Sequence, residues 1–186
     1  MPDFTTTLLA LIVAAHGPRA EGHPENHIAR LTTVSNEFMQ AATDHPLFTG
    51  EAAVPATAMA LYAVAYHESG FWSKAQDCSA CYIGSPWCDG GRSVTMFQLQ
   101  GSVSWGRFNR SELCSSNANA TERALRILWK NKGRCSITAL FQGYAHARTP
   151  TDEMESIYRK GIAKAGLRVV CRDNRLQAFF APLPSS

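Results

Sequence analysis

The sequence predicts a mainly α, α+β fold: a bundle of helices with one small β-hairpin set into it. Three observations predict it. Apolar residues recur at helical spacing through most of the 186 residues, and "SVTMFQLQ" (93–100) is the only convincing strand-like run. The balance of 45% hydrophobic against 18% charged residues, with 13 Gly and 9 Pro scattered rather than in tracts, suits a packed core and not a disordered or fibrous chain. A chain of this length folded as one domain buries about 70% of its unfolded surface. Residues 1–186 are read as a single domain, with N-terminal helices over 1–50, a core over 54–147, and a C-terminal helix and tail over 148–186.

The first expected helix, 3–15, carries "TTTLLALIVAA". It is too short to span a bilayer and follows an acidic "MPDF" instead of lysines or arginines, so it reads as a core helix capped near Asp3. An export signal is then expected outside this sequence. A second helix is expected over 25–43 and a third over 55–68, where Pro55 suits a first helical turn. Between about 70 and 112 the helical pattern breaks into Gly, Ser, Cys and aromatics, with the hairpin following the turn signal "DGG". Helices over 119–132, 135–147 and 151–165 complete the set, with Asn119 or Thr121 capping the first and Thr151 and Asp152 the last. Trp129 is expected in the core, and "APLPSS" as a frayed end.

Charge excludes little and suggests little. A formal net charge of +3 is too small and dispersed for a nucleic-acid surface, and the basic stretch "RALRILWKNKGR" reads as the solvated face of a helix. Nucleic acid and stable membrane insertion are not expected as partners; a monomer is. Six cysteines, at 78, 81, 88, 114, 135 and 171, are even in number and crowd the second half of the chain. A metal site built on Cys78 and Cys81 lacks the second close ligand pair that structural zinc sites use. Disulfides are therefore favoured, with pairing left open, and with them an extracytoplasmic location. No metal and no cofactor is expected.

The chemistry concentrates at "AYHESGFW" (65–72). Glu68 falls at helical spacing with Ala58, Leu61 and Ala65, on what reads as an apolar stripe near a helix C-terminus. Burial and the negative helix end both favour a protonated carboxyl, which a general acid needs. Read together, "ES" at a helix end, "WCDGGRSVTMFQLQ" (87–100) and "TALFQGYA" (138–145) resemble the lysozyme superfamily, closest to goose-type lysozymes and lytic transglycosylases of the soluble type. Trp87, Asp89, Gly91, Met96 and Gln98 fit that family's hairpin motif without a gap, and the resemblance covers about residues 54–147. It implies a lysozyme-like fold, a helical bundle around a catalytic helix with the hairpin lining a cleft.

The same resemblance implies peptidoglycan glycan strands as substrate, cut at the β-1,4 bond between N-acetylmuramic acid and N-acetylglucosamine. Glu68 matches the general acid, Asp89 the acid that places the attacking water, and Gln98 and Tyr144 the residues that shape the sugar site. Ser69, Met96 and Trp87 are kept as substrate-contacting candidates; Trp72, Trp87 and Trp105 flank the expected cleft and could stack on sugar rings, although each taken alone reads as core first. Three departures bear on the reaction: Thr95 replaces a Gly, Gln100 stands where goose-type enzymes carry another Asp, and Ala145 and His146 follow Tyr144. An inverting hydrolase needs a second carboxylate about 6.5–9.5 Å from the acid, for which Asp89, or else Asp77, is the candidate. A lytic transglycosylase needs Glu68 alone, because the muramic 6-hydroxyl attacks. Hydrolase is the first reading and transglycosylase the second. The "HE" pair of His67 and Glu68 is similar to plant-type chitinases, which keeps chitinase third, with His67 a packing or supporting residue. A module that binds wall glycan without cutting it, or serves structurally, is the reading from a different class.

Overall fold

Ten consecutive residues, Ala56 to Ala65, are buried, and the helix that contains them is the axis of the molecule. The computed structural model describes residues 4–16, 24–101, 106–130, 135–145 and 148–181. In chain order these form α1 (Phe4–Ala15), a 3-10 turn (Pro24–His27), α2 (Ile28–Asp44), α3 (Ala53–Ser69) and two single turns, α4 (Ser73–Gln76) and α5 (Cys88–Gly91). The hairpin β1 (Ser93–Val94) and β2 (Leu99–Gln100) follows, then α6 (Arg110–Cys114), α7 (Asn117–Trp129), α8 (Ile137–Ala145) and α9 (Arg148–Lys164). The chain closes with β3 (Leu167–Arg172) and β4 (Arg175–Phe180). The fold is mainly helical with small antiparallel sheets, as the sequence predicts.

A helix hydrophobic all round belongs inside, and α3 is alanine-rich because small side chains let its neighbours come close. α2 packs on one side of it and α9 on another, where Gly161 lies so near Met59 that a Cβ would collide with the sulfur. One continuous core runs from Leu8 to Ala178. In α1, Leu8, Leu11, Ile12 and Ala15 are buried, which makes it the core helix the sequence suggests. No helix among the described residues is long and apolar enough to cross a membrane. The six cysteines pair as Cys78–Cys114, Cys81–Cys88 and Cys135–Cys171.

Several expectations change. Residues 167–180 are not a tail but a hairpin of six residue pairs, closed by Asp173 and Asn174 at φ 52° and 57°. Its β4 strand also pairs on the outer side with the segment before α3, through Ala178 N–H to Thr49 O (2.8 Å) and Ala52 N–H to Ala178 O (3.1 Å). The run 93–100 is thus not the only strand-forming one. α7 begins two residues early, with the Ser116 hydroxyl accepting from Asn119 N–H, so neither Asn119 nor Thr121 is the cap. α9 begins at Arg148, which places Thr151 and Asp152 inside it. Trp129 is 37% exposed instead of core. Asp3, Trp105, His146 and the "PLPSS" end lie outside the described residues.

Candidate active site

Glu68 stands in the last turn of α3, where the helix leaves the core: Ala65 is buried, Tyr66 is exposed, and the Glu68 side chain is 21% exposed. The all-round burial of α3 replaces the stripe read from sequence, so the placement of Glu68 comes from where the helix ends. That end is sharply defined. Gly70 adopts the left-handed conformation (φ 58°, ψ 32°) and its N–H returns to Tyr66 O at 2.9 Å, the usual way to satisfy the last helical carbonyls. Phe71 follows with φ 61°, a strained state for an aromatic residue costing on the order of 1–3 kcal/mol. It is wholly buried, stacks on Tyr62 at 5.8 Å and lies 6.4 Å from Phe38, while its carbonyl accepts from Arg30 Nη2 at 3.0 Å. Packing thus holds the turn that Glu68 precedes.

The hairpin meets this turn through Phe38, which lies 6.4 Å from Phe71 and 5.7 Å from Phe97. β1 and β2 pair in the register Ser93↔Gln100 and Val94↔Leu99, and the four-residue turn between them carries positive φ at Thr95 (67°) and Gln98 (48°). Its tip residues Met96 and Phe97 are fully buried, with Phe97 5.7 Å from Phe38. Tyr144, on α8, donates its hydroxyl to Phe97 O at 2.5 Å. Burial pushes the Tyr144 phenol well above its ordinary range, the Glu68 carboxylate reinforces this, and Arg123 opposes it. Tyr144 therefore remains a neutral donor, bonded to the hairpin turn and within the field of Glu68. Arg123, on α7, is only 8% exposed, and burial first, then Arg126, lowers its pKa. The basic stretch read as a solvated face hides one cation beside this site.

The other candidates divide. Asp89 adopts φ 51° in the short turn α5 and is exposed; its carboxylate accepts from Ser93 Oγ at 2.7 Å and from Gln100 Nε2 at 3.5 Å. Gln100, at the position where the resemblance has an Asp, thus reaches towards Asp89. Gln98 turns its amide back to donate to Thr95 O at 3.0 Å. Ser69 donates to Ala65 O at 3.2 Å, along its own helix and not to Glu68. Met96 presents no surface to a ligand, so its part is packing. Trp87 is 41% exposed and meets Trp72 edge-on at 5.6 Å, on the loop closed by the Cys81–Cys88 disulfide. Asp77 is exposed and accepts from Ser79 N–H at 2.8 Å. Gly91 is required in that loop, because a Cβ there would run into the Tyr82 carbonyl.

His67 is more than a packing residue. Its Nε2 lies 2.8 Å from Glu153 Oε2 on α9, and its Nδ1 lies 3.5 Å from Glu68 Oε1. Sequence reasoning passes over Glu153, which is 86 positions away; no local spacing announces such a contact. A separate pocket of about 250 Å³ between His45, Leu125, Arg126 and Trp129 shares no residue with this site. No three His, Cys, Asp or Glu side chains among the described residues group to hold a metal ion.

Fold and site together define a mainly helical α+β protein, disulfide-bonded, with a half-shielded carboxylate beside a histidine and in the field of a partly buried tyrosine that binds a hairpin turn. Known protein families, curated proteins and solved structures give no match to the chain.

Proposed function

We propose that the chain is a peptidoglycan-cleaving muramidase that cuts the β-1,4 bond between N-acetylmuramic acid and N-acetylglucosamine, with Glu68 as general acid. The observation that carries this reading is the union of three sequence-distant parts at one point. Glu68 ends the central helix, Tyr144 from α8 sits in its field, and the same Tyr144 hydroxyl binds the hairpin turn at Phe97 O. A carboxylic acid can protonate a glycosidic oxygen only if it is held against the bond, and the gathering of these parts around Glu68 supports that reading. Gln98 and Trp87 border the sugar path, and Asp89 places the water. The three disulfides fit an oxidising, extracytoplasmic compartment, where wall glycan is met.

A lytic transglycosylase is the second reading, favoured by the engagement of Asp89 with Ser93 and Gln100 on the hairpin. A carboxylate occupied there is less free to activate water, and a single acid then suffices. Digestion of purified peptidoglycan, with fragments weighed, tests both readings. Glu68→Gln is expected to lose about a hundred- to ten-thousandfold in rate; reducing ends mark the hydrolase and 1,6-anhydro ends the transglycosylase. Wild type and variant that both sediment with the glycan and leave it intact make the protein a binding module instead.

A further inference from the structure

The ring of His67 lies between two carboxylates from different helices. Nε2 meets Glu153 of α9 at 2.8 Å and Nδ1 faces Glu68 at 3.5 Å. A carboxylate only accepts, so Nε2 carries a proton towards Glu153 and the state of Nδ1 is left to Glu68. Nδ1 is buried, with Glu68 Oε1 facing it at 3.5 Å. When the ring is neutral, Nδ1 can accept a proton from the Glu68 carboxyl; when it is charged, Nδ1–H can donate to the Glu68 carboxylate. Both arrangements put one proton on the pair.

We propose that His67 is the positioning residue of Glu68: an imidazole clamped by Glu153 that shares one proton with the Glu68 carboxyl and keeps that proton at hand for delivery. This inference rests on the reading of Glu68 as the general acid. Delivery moves the shared proton from Glu68 to the glycosidic oxygen as its bond to the anomeric carbon breaks, while water, or the muramic 6-hydroxyl in the transglycosylase, bonds to that carbon and gives up its own proton. The Glu68 carboxylate then faces the ring, and the next proton taken from solvent restores the pair. The pull of Glu68 on the ring raises the His67 pKa, Glu153 adds to it, and burial works against both. Among the described residues, Tyr144, a neutral phenol, lies in the field of Glu68, and Arg123 in turn acts on Tyr144. On α9, Arg148 and Asp152 are tied to one another at 3.7 Å.

The sign follows from one proton per pair. Removing the Glu153 charge weakens the hold on that proton, so the alkaline limb of activity moves to lower pH. The Glu153 side chain is 60% exposed, so its leverage is that of a surface pair, about two- to fivefold in rate on the alkaline side.

Titration of the histidine C–H resonances, with His67 assigned by its loss in His67→Gln, reads the coupling without any substrate. The His67 midpoint is expected above the ordinary 6.5 in the wild type, and to fall in both Glu68→Gln and Glu153→Gln. A midpoint unmoved in both variants overturns the inference. The pH profile of glycan cleavage is the second measurement: Glu153→Gln should lose rate at alkaline pH more than at acid pH, and a uniform loss would mark a merely structural contact. An uncoupled His67 in a protein that cuts glycan overturns this inference alone. A coupled His67 in a protein that cuts none overturns the reading of Glu68, and with it the catalytic role given to the pair.

Discussion

At the C-terminal end of α3 the β1–β2 hairpin pairs two residues on each strand, while at the N-terminal end the β3–β4 hairpin pairs six. The short one is held from outside: its tip residues Met96 and Phe97 lie in the core, and its turn carbonyl is taken by Tyr144. The long one holds itself by its own ladder and leaves most of β3 exposed, adding a second edge to Thr49 and Ala52. A ladder of two pairs cannot stand alone in water, so the shape of the first hairpin is a property of the core behind it. Placing β1–β2 is therefore the same event as packing the core next to Glu68, whereas β3–β4 braces the fold at a distance from the chemistry.

The largest effect expected from this contrast is at Phe97. Phe97→Ala removes a wholly buried ring from against Phe38 and should cost about 3–5 kcal/mol. Denaturant unfolding measures that loss, and glycan cleavage should fall further than the unfolded fraction explains, because the turn that meets Tyr144 loses its anchor. Activity that follows stability alone would separate the hairpin from the site.

Next in size is the brace. Cys135–Cys171 ties the segment before α8 to β3 across 36 positions. Replacing both cysteines by alanine should cost about 2–4 kcal/mol by restoring freedom to the unfolded chain. Cleavage per folded molecule is expected to persist, since neither residue touches the group around Glu68. An equal loss of rate and stability here would make the two hairpins alike in function.

The contrast also explains what could be read from sequence. Amphipathic helices write their burial into the spacing of apolar residues, so α2, α7 and α9 are legible to within a few residues. The β3–β4 hairpin is not, because β3 is mostly exposed, Arg168, Arg172 and Arg175 interrupt the apolar pattern, and Asp173-Asn174 turns without a glycine. Val169, Val170, Phe179 and Phe180 on either side of that Asp-Asn pair were the available signal. At the site, Glu68, Asp89, Gln98 and Tyr144 stand out because motif spacing is local. His67's second partner Glu153 and the buried Arg123 do not, since tertiary packing alone brings them there.

The smallest effect is the most discriminating, because one substitution can be made in both turns. Thr95 (φ 67°) and Asn174 (φ 57°) each hold a left-handed backbone that glycine adopts freely. Asn174 is exposed and lies in a two-residue turn for which glycine is well suited, so Asn174→Gly should be neutral or gain about 0.5 kcal/mol. Thr95 is fully buried, and its Oγ1 accepts from Phe97 N–H at 3.3 Å. Thr95→Gly relieves the backbone but empties space beside the core and frees the turn from its side-chain bond. Those losses outweigh the relief, for a net cost of about 1 kcal/mol. Opposite signs in thermal unfolding would show that the first hairpin is shaped by what packs on it and the second by its own backbone. Two gains would mean that Thr95 sits in the first turn at the expense of stability, at the motif glycine position that this chain fills with another residue.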